Sequence, residues 1–254
     1  MVAVYSKKSR FRGLTIVQGE RSTHNPQKAI CALLLISLTC CVSTSWAQEP
    51  VNEKPVLGQI LSLGAASLLT IGARSLNINQ PPAECGPCDP ATLPAFDRWA
   101  IHHEIDLHSD ISDVLIVGLI AGTTADLAAV DGGKAMVASL EAATWTLAVT
   151  ELSKTIIGRK RPVLYTEDAP RYVHSEESLR SMPSGHTSVA FAVATSYMLM
   201  TRGRDDRWPA YLAGAAAVTI GVLRVTGGRH FPSDIVVGAA LGVITGGVVH
   251  EIRF

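Results

Sequence analysis

Residues 231–251, FPSDIVVGAALGVITGGVVHE, read as a helix with a marked beginning and one flat face. Pro232 suits the first helical turn, where its missing N–H costs nothing, and it puts Asp234 in that same turn, near the positive end of the helix dipole. Behind it runs an apolar body in which Gly238, Gly242 and Gly246 recur every four residues, so that a neighbouring helix can approach closely. Moving back along the chain, comparable Gly/Ala-rich apolar bodies predict helices over about 209–225, 187–201, 135–157, 112–130 and 57–74, and no Val/Ile/Thr-rich alternation marks a strand. The expected fold class is all-α, a bundle of about six helices. The late apolar bodies are roughly 15–18 residues long, slightly short for a ~30 Å hydrocarbon core. Asp113, Asp126, Glu141 and Glu151 would be expensive against lipid. A compact soluble bundle is therefore the rival to the membrane-embedded bundle expected here.

Composition narrows the classes. The 254 residues carry 22 basic and 22 acidic side chains, and aromatics make up 6%, so neither a global positive field nor a base-stacking surface points to nucleic acid. Lys7, Lys8, Arg10, Arg12, Arg21 and Lys28 precede an apolar run from Ala29 to about Val42, and Ser45-Trp46-Ala47 offers a small-x-small cleavage site. Residues 1–47 are expected to be a signal peptide or signal anchor. Residues 48–99 form an N-terminal helix followed by an irregular stretch, Gln80 to Asp97, with five prolines and Cys85-Gly86-Pro87-Cys88. That tetrapeptide has thioredoxin-like spacing, but no strand-helix-strand pattern surrounds it, so an exported chain is expected to hold Cys85–Cys88 as a structural disulfide. A zinc site there would need His102, His103 or His108, which read as solvated loop histidines.

The chemistry lies between Lys154 and Asp234. Lys154 and Arg161 are seven residues apart, which on one helix ended by Pro162 would place them on a common face, about 10 Å apart along it. In Pro183-Ser184-Gly185-His186, Ser184 is expected to cap the next helix, Gly185 lets backbone approach a ligand, and the free N–H groups beside His186 form an anion site. Arg224, His230 and Asp234 follow, and a carboxylate four residues beyond a histidine can hold its imidazole in one tautomer. Each motif alone has a plain explanation: a basic helix end, a cap, a surface ion pair. Together, three fixed cations, two histidines and a carboxylate are what phosphoryl transfer without a metal needs.

These residues resemble the three-part signature of the type 2 phosphatidic acid phosphatase family, whose site is shared with the vanadium haloperoxidases. Lys154, Arg161, Pro162, Pro183, Ser184, Gly185, His186, Arg224, His230 and Asp234 stand in the family's order and spacing, within a resemblance covering about 100–240. It implies a phosphatase domain at 100–254 in which His230 is the nucleophile that becomes a phosphohistidine and Asp234 orients it. His186 would be general acid and then base, while Lys154, Arg161, Arg224, Ser184 and the Gly185 backbone would hold the phosphate. No metal and no cofactor are implied. The family commonly has Ser before the arginine; here it is Leu223, so one hydroxyl donor is missing. The implied reaction is hydrolysis of a phosphate monoester or diphosphate, with a phosphorylated lipid, or else a small phosphate ester, as substrate and the membrane as partner. The alternatives are a soluble periplasmic acid phosphatase and a vanadate-dependent haloperoxidase.

Charge sets the expected orientation. Arg202, Arg204 and Arg207 cluster between two helices. If the first apolar run crosses once and 57–74 does not cross, both basic regions lie in the cytoplasm. The loops bearing Arg161, His186 and His230 then face the periplasm from a bacterial inner membrane; if 57–74 also crosses, the site turns to the cytoplasm.

Overall fold

The computed structural model describes residues 53–77, 83, 85–102, 105–131 and 133–254. The expected signal segment 1–47, with Cys31, Cys40 and Cys41, lies outside the described residues, as does His103. Six long helices follow one another: α1 Glu53–Asn77, α2 Asp106–Asp131, α3 Lys134–Ile157, α4 Gly185–Met200, α5 Trp208–Thr226 and α6 Pro232–Arg253. A one-turn helix, Ala95–Arg98, and short 3₁₀ turns fill the connections, and the described residues contain no strand. The all-α expectation holds.

Cross-helix contacts fix the direction of each helix. Asp113, near the start of α2, meets Arg224 at the end of α5, whereas Asp126, near the end of α2, meets Tyr197 and Arg204. Arg253 at the end of α6 pairs with Glu141 near the start of α3. The bundle thus has one end carrying Lys154, His186, Arg224 and Asp234, and an opposite end carrying Asp126, Glu141, Arg204 and Arg253. The four carboxylates expected to be costly inside the helices all find cations: Asp113 with Arg224, Asp126 with Arg204, Glu141 with Arg253, and Glu151 with Lys154, Arg74 and Arg180. The Glu151–Arg180 pair is buried on both sides, and breaking it would strand a charge and cost about 3–5 kcal/mol.

The glycine face of α6 does what its spacing predicts. A Cβ at Gly242 would lie 2.8 Å from the Ala192 nitrogen and closer still to the Ser188 carbonyl oxygen, and one at Gly246 would lie 2.7 Å from the Ala192 oxygen. α4 therefore packs backbone to backbone on α6, and Ala190, Ala192, Val193, Ala194 and Tyr197 along it are buried. Leu119, Leu127, Val189, Ala213, Ala217 and Ile220 complete the core that α4 shares with α2 and α5.

One expectation needs correction. Helix α3 stops at Ile157, well before Pro162, because Gly158 takes the left-handed conformation (φ 60°) and donates its N–H to the Lys154 carbonyl at 3.0 Å. Only glycine adopts that conformation without steric cost, so the chain turns there and Lys154 and Arg161 do not share one helix. The helix at 57–74, on whose crossing the expected orientation turns, is α1. Trp145 Nε1 donates to Ser62 Oγ at 2.8 Å and Thr155 Oγ1 to the Ala73 carbonyl at 3.0 Å, so α1 runs parallel to α3 and ends beside it. Its stretch Leu57–Leu76 is one of four that are long and apolar enough to cross a membrane, with Asp106–Ala129, Trp208–Thr226 and Pro232–Arg253. α3 and α4 are not among them, for α3 carries buried Glu141, Glu151 and Lys154 and α4 has 16 residues. The four apolar helices turn large side chains outward, among them Leu61, Leu68, Val114, Val218, Val236 and Ile244. Contiguous apolar surface of this kind marks membrane association.

Candidate active site

Four helix ends converge at one end of the bundle. The last turn of α3 presents Lys154, whose Nζ lies 3.4 Å from Glu151 Oε1 and which is nearly inaccessible. A Cβ on Gly185 would lie 3.5 Å from that same Nζ, so the ammonium rests against the first turn of α4. After the Gly158 turn, Arg161 is held by its N–H to the Ser178 carbonyl (2.9 Å) and by an ion pair from Nη2 to Glu177 Oε2 (2.7 Å). Burial alone would raise the Glu177 carboxyl, but Arg161, Lys154 and Arg180 together outweigh it and hold Glu177 below the ordinary carboxylate range.

Ser184 stands at the N-cap position of α4, but its hydroxyl makes no capping bond; it accepts from Thr187 Oγ1 at 3.0 Å. Its backbone N–H donates instead to the Asp234 carbonyl at 3.1 Å, which ties the starts of α4 and α6 together. His186 Nε2 lies 2.8 Å from Asp113 Oδ1. The same carboxylate oxygen accepts from Arg224 Nη1 at 2.9 Å, and Ser109 and Ser112 hydroxyls lie 3.2 Å from that nitrogen. Asp113 thus joins the two histidine- and arginine-bearing motifs. Its only sequence signal was a carboxylate inside an apolar helix.

His230 is almost wholly buried, and its Nδ1 lies 2.7 Å from the Ser181 carbonyl oxygen. A carbonyl only accepts, so Nδ1 carries the proton and Nε2 keeps a free lone pair. Asp234 Oδ2 is farther from Nδ1, at 3.6 Å. It accepts instead from Ser181 Oγ (2.6 Å) and the Phe231 N–H (2.8 Å), while Oδ1 accepts from Arg159 Nη1 (2.5 Å). The carboxylate therefore orders the Ser181 segment, and the Ser181 backbone holds the imidazole. Burial, opposed by the hydrogen bond to Asp234 and reinforced by Arg161, pushes the His230 pKa down to about 3.

The geometry brings together all eight residues that the sequence placed in catalysis and phosphate binding. Two buried nitrogens among them, Arg161 Nε and Arg224 Nε, have no hydrogen-bond partner. A buried guanidinium donor left unmet is costly, and an anion between these arginines would satisfy both. Sequence reasoning missed Asp97, Asp113, Glu151, Arg159, Glu177, Arg180 and Ser181. Cys85 and Cys88 are disulfide-bonded, with the Cys88 N–H on the Leu164 carbonyl (2.8 Å) and Lys160 Nζ 3.3 Å from Cys85 Sγ, so the bridge sits on the loop that carries Arg161. The described residues contain no group of three or more metal-ligating side chains, and His108 Nδ1 is engaged with Thr226 Oγ1 at 2.8 Å.

Residues 135–254 match the family model of the PAP2 superfamily. The chain is 33% identical over 101 residues to a lipid A 1-phosphatase of Rhizobium johnstonii, covering 37% of this chain and 38% of that protein. It is 31% identical over 109 residues to the decaprenylphosphoryl-5-phosphoribose phosphatase of Mycobacterium tuberculosis, covering 41% and 54%. Among solved structures, Aquifex aeolicus LpxE aligns with a TM-score of 0.46 at 23% identity, over 61% of this chain and 92% of that one. The matched parts span between 15% and 54% of the length of the curated relatives.

Proposed function

We propose that this chain, whose residues 135–254 match the family model of the PAP2 superfamily, hydrolyses the phosphate ester of a membrane lipid, without a metal, through a phosphohistidine at His230. The observation that carries this reading is the pair of unmet buried donors, Arg161 Nε and Arg224 Nε, in the site where His230 keeps Nε2 free. Lys154, Arg161 and Arg224 take up the charge on the equatorial phosphate oxygens, the part that Mg²⁺ plays in other phosphoryl-transfer sites. His230 Nε2 attacks phosphorus, the phosphorus–oxygen bond to the lipid breaks, and the His186 imidazolium gives its proton to the leaving oxygen. His186, now neutral, takes a proton from water as that water attacks phosphorus. The nitrogen–phosphorus bond breaks and inorganic phosphate leaves. Burial and the Arg224 charge hold the His186 pKa down to about 4; Asp113, on one His186 nitrogen, and the negative charge of a bound phosphate act the other way, toward the imidazolium needed for the first step. Leu223 leaves the phosphate one hydroxyl donor short.

The names of the relatives, which specify lipid A and a decaprenyl-linked phosphoribose, together with the four apolar helices, support a lipid ester over a water-soluble one. The test is phosphate release from lipid A, phosphatidic acid, polyprenyl phosphates and diphosphates, and p-nitrophenyl phosphate, with EDTA present. The expected result is release from a lipid ester that survives chelation and is lost in His230→Ala. Activity lost to EDTA and restored by one metal would overturn the mechanism, and preference for the soluble ester by a chain released on osmotic shock would make it a soluble acid phosphatase.

We further propose that the site faces the periplasm. The Cys85–Cys88 bridge is at the site end, and disulfides persist in oxidising compartments. Arg202, Arg204 and Arg207 follow α4 at the opposite end, the arrangement of a cytoplasmic face. If α1 crosses toward the site end, this orientation requires that the apolar run from Ala29 to about Val42 does not also cross; if both cross, the site faces the cytoplasm.

A further inference from the structure

Asp97 lies before the family match, in a segment to which the sequence assigned no role, yet it is fully buried at the start of α6. Its Oδ1 accepts the Ser233 N–H at 3.0 Å, so it meets one of the free donors at the positive end of α6, as a cap supplied from elsewhere in the chain. Its Oδ2 accepts from Ser233 Oγ at 2.8 Å and from Arg159 Nη2 at 2.7 Å. Arg159 extends the contact. Its Nη1 reaches Asp234 Oδ1 and Ser233 Oγ, each at 2.5 Å, and its guanidinium lies 4.6 Å from the centroid of the buried Phe231 ring. One planar fork thus bridges two buried carboxylates, a geometry that a lysine cannot reproduce.

From this we infer that Asp97 and Arg159 are positioning residues for the nucleophile. They set the placement and the effective charge of Asp234, and through Ser181 the placement of His230. Two effects follow. Asp97 and Ser233 fix where Arg159 lies, and Arg159 fixes one oxygen of Asp234 while Ser181 Oγ and the Phe231 N–H hold the other. In addition, Asp97 shares the Arg159 charge. Without the Asp97 charge, Arg159 would neutralise Asp234 more fully, and the positive character that His230 gains as it attacks phosphorus would be less well stabilised. None of the three phosphate-binding cations takes part in this chain of contacts, so positioning and phosphate binding are separable.

The inference rests on the proposed reaction at His230, and the test keeps the two apart. Asp97→Asn, Arg159→Lys and Ser233→Ala are compared with the intact chain for kcat and KM on the best lipid ester, for inhibition by vanadate, and for thermal unfolding in detergent. Misplacement of a reacting group by a fraction of an ångström to 1 Å costs about ten- to a hundredfold in rate, so kcat is expected to fall by that factor in Asp97→Asn and Arg159→Lys. KM and vanadate inhibition are expected to stay within about twofold, because a change confined to the transition state leaves ground-state binding intact. Ser233→Ala removes one contact from each partner and is expected to lose kcat less, which keeps the test open if the charged variants do not fold. The inference is overturned if the folded variants keep wild-type kcat, if vanadate inhibition is lost in step with kcat, or if only the unfolding temperature changes. If the intact chain releases no phosphate from any ester, the proposed reaction fails first, and this inference with it.

Discussion

Replacing Gly242 by Ala adds one methyl group where α6 meets α4, 2.8 Å from the Ala192 nitrogen, 2.9 Å from Phe191 Cβ and closer still to the Ser188 carbonyl oxygen. A carbon needs about 3.3 Å from a carbonyl oxygen, so the two helices must part by roughly 1 Å. The atoms in the way are mainly backbone and cannot swing aside, and overpacking of this kind costs about 1–3 kcal/mol or more. Against that, Ala in place of Gly gains at most about 1 kcal/mol of helix propensity. The same substitution at Gly247, whose added Cβ would meet nothing within 4 Å, carries the gain without the clash. Parting α4 from α6 also strains the bond from the Ser184 N–H to the Asp234 carbonyl, which joins the turn before α4 to the helix that follows His230. About 1 Å of misplacement there costs on the order of a hundredfold in rate. Thermal unfolding in detergent and steady-state phosphate release on both variants are the assay. Gly242→Ala is expected to unfold at lower temperature and lose most of its turnover, while Gly247→Ala matches or exceeds the parent in stability and keeps its activity. Equal stability and equal turnover in the two variants would refute the close-packing argument.

Acid stability offers a separate check. His230 is held near pKa 3 when folded, below its ordinary 6.5, so between those values the unfolded chain binds a proton that the folded chain refuses. The His230 contribution is fully present above about pH 6.5 and is lost as pH falls toward 3, at about 1.4 kcal/mol per pH unit. Between pH 7 and pH 5 the intact chain should lose about 2 kcal/mol more stability than His230→Asn, the His186 pKa, itself lowered to about 4, contributing a loss common to both; identical acid sensitivity in both chains would contradict the burial argument. Orientation is read by Glu167→Cys on the loop beside the site, in a chain with Cys31, Cys40 and Cys41 replaced by Ser. An impermeant thiol reagent should label it from the periplasm of intact cells, and labelling only after the inner membrane is breached would turn the site to the cytoplasm.

Much of this was legible in the sequence because helix periodicity and motif spacing are local properties. The apolar bodies located every long helix, and Gly238, Gly242 and Gly246 indicated the face on which α4 packs. The motif residues were legible because each sits at a helix end or just beyond it. What remained hidden depends on chain reversals or on distant partners. Gly158 was not recognised as a left-handed stop, so Lys154 and Arg161 were put on one helix. The Ser181 carbonyl that holds His230 is backbone, which leaves no trace in residue type. Asp97 reaches Arg159 across a sequence separation of 62, and neither side chain announces the other. Asp113 was visible only as a cost, and its partner Arg224 lies 111 residues away. α1 is sparingly apolar, with a mean hydropathy of 1.2 over its candidate span, so its alignment along α3 became evident only from Ser62, Ala73 and their partners.

The central claim is that His230 carries the phosphoryl group between lipid and water. The direct measurement is rapid alkaline quenching of the purified chain during turnover of a lipid ester labelled with radioactive phosphorus, followed by peptide mapping. The account predicts an alkali-stable, acid-labile label on the peptide containing His230, formed with EDTA present and absent from His230→Ala. Label on another residue, or turnover retained by His230→Ala, would contradict it.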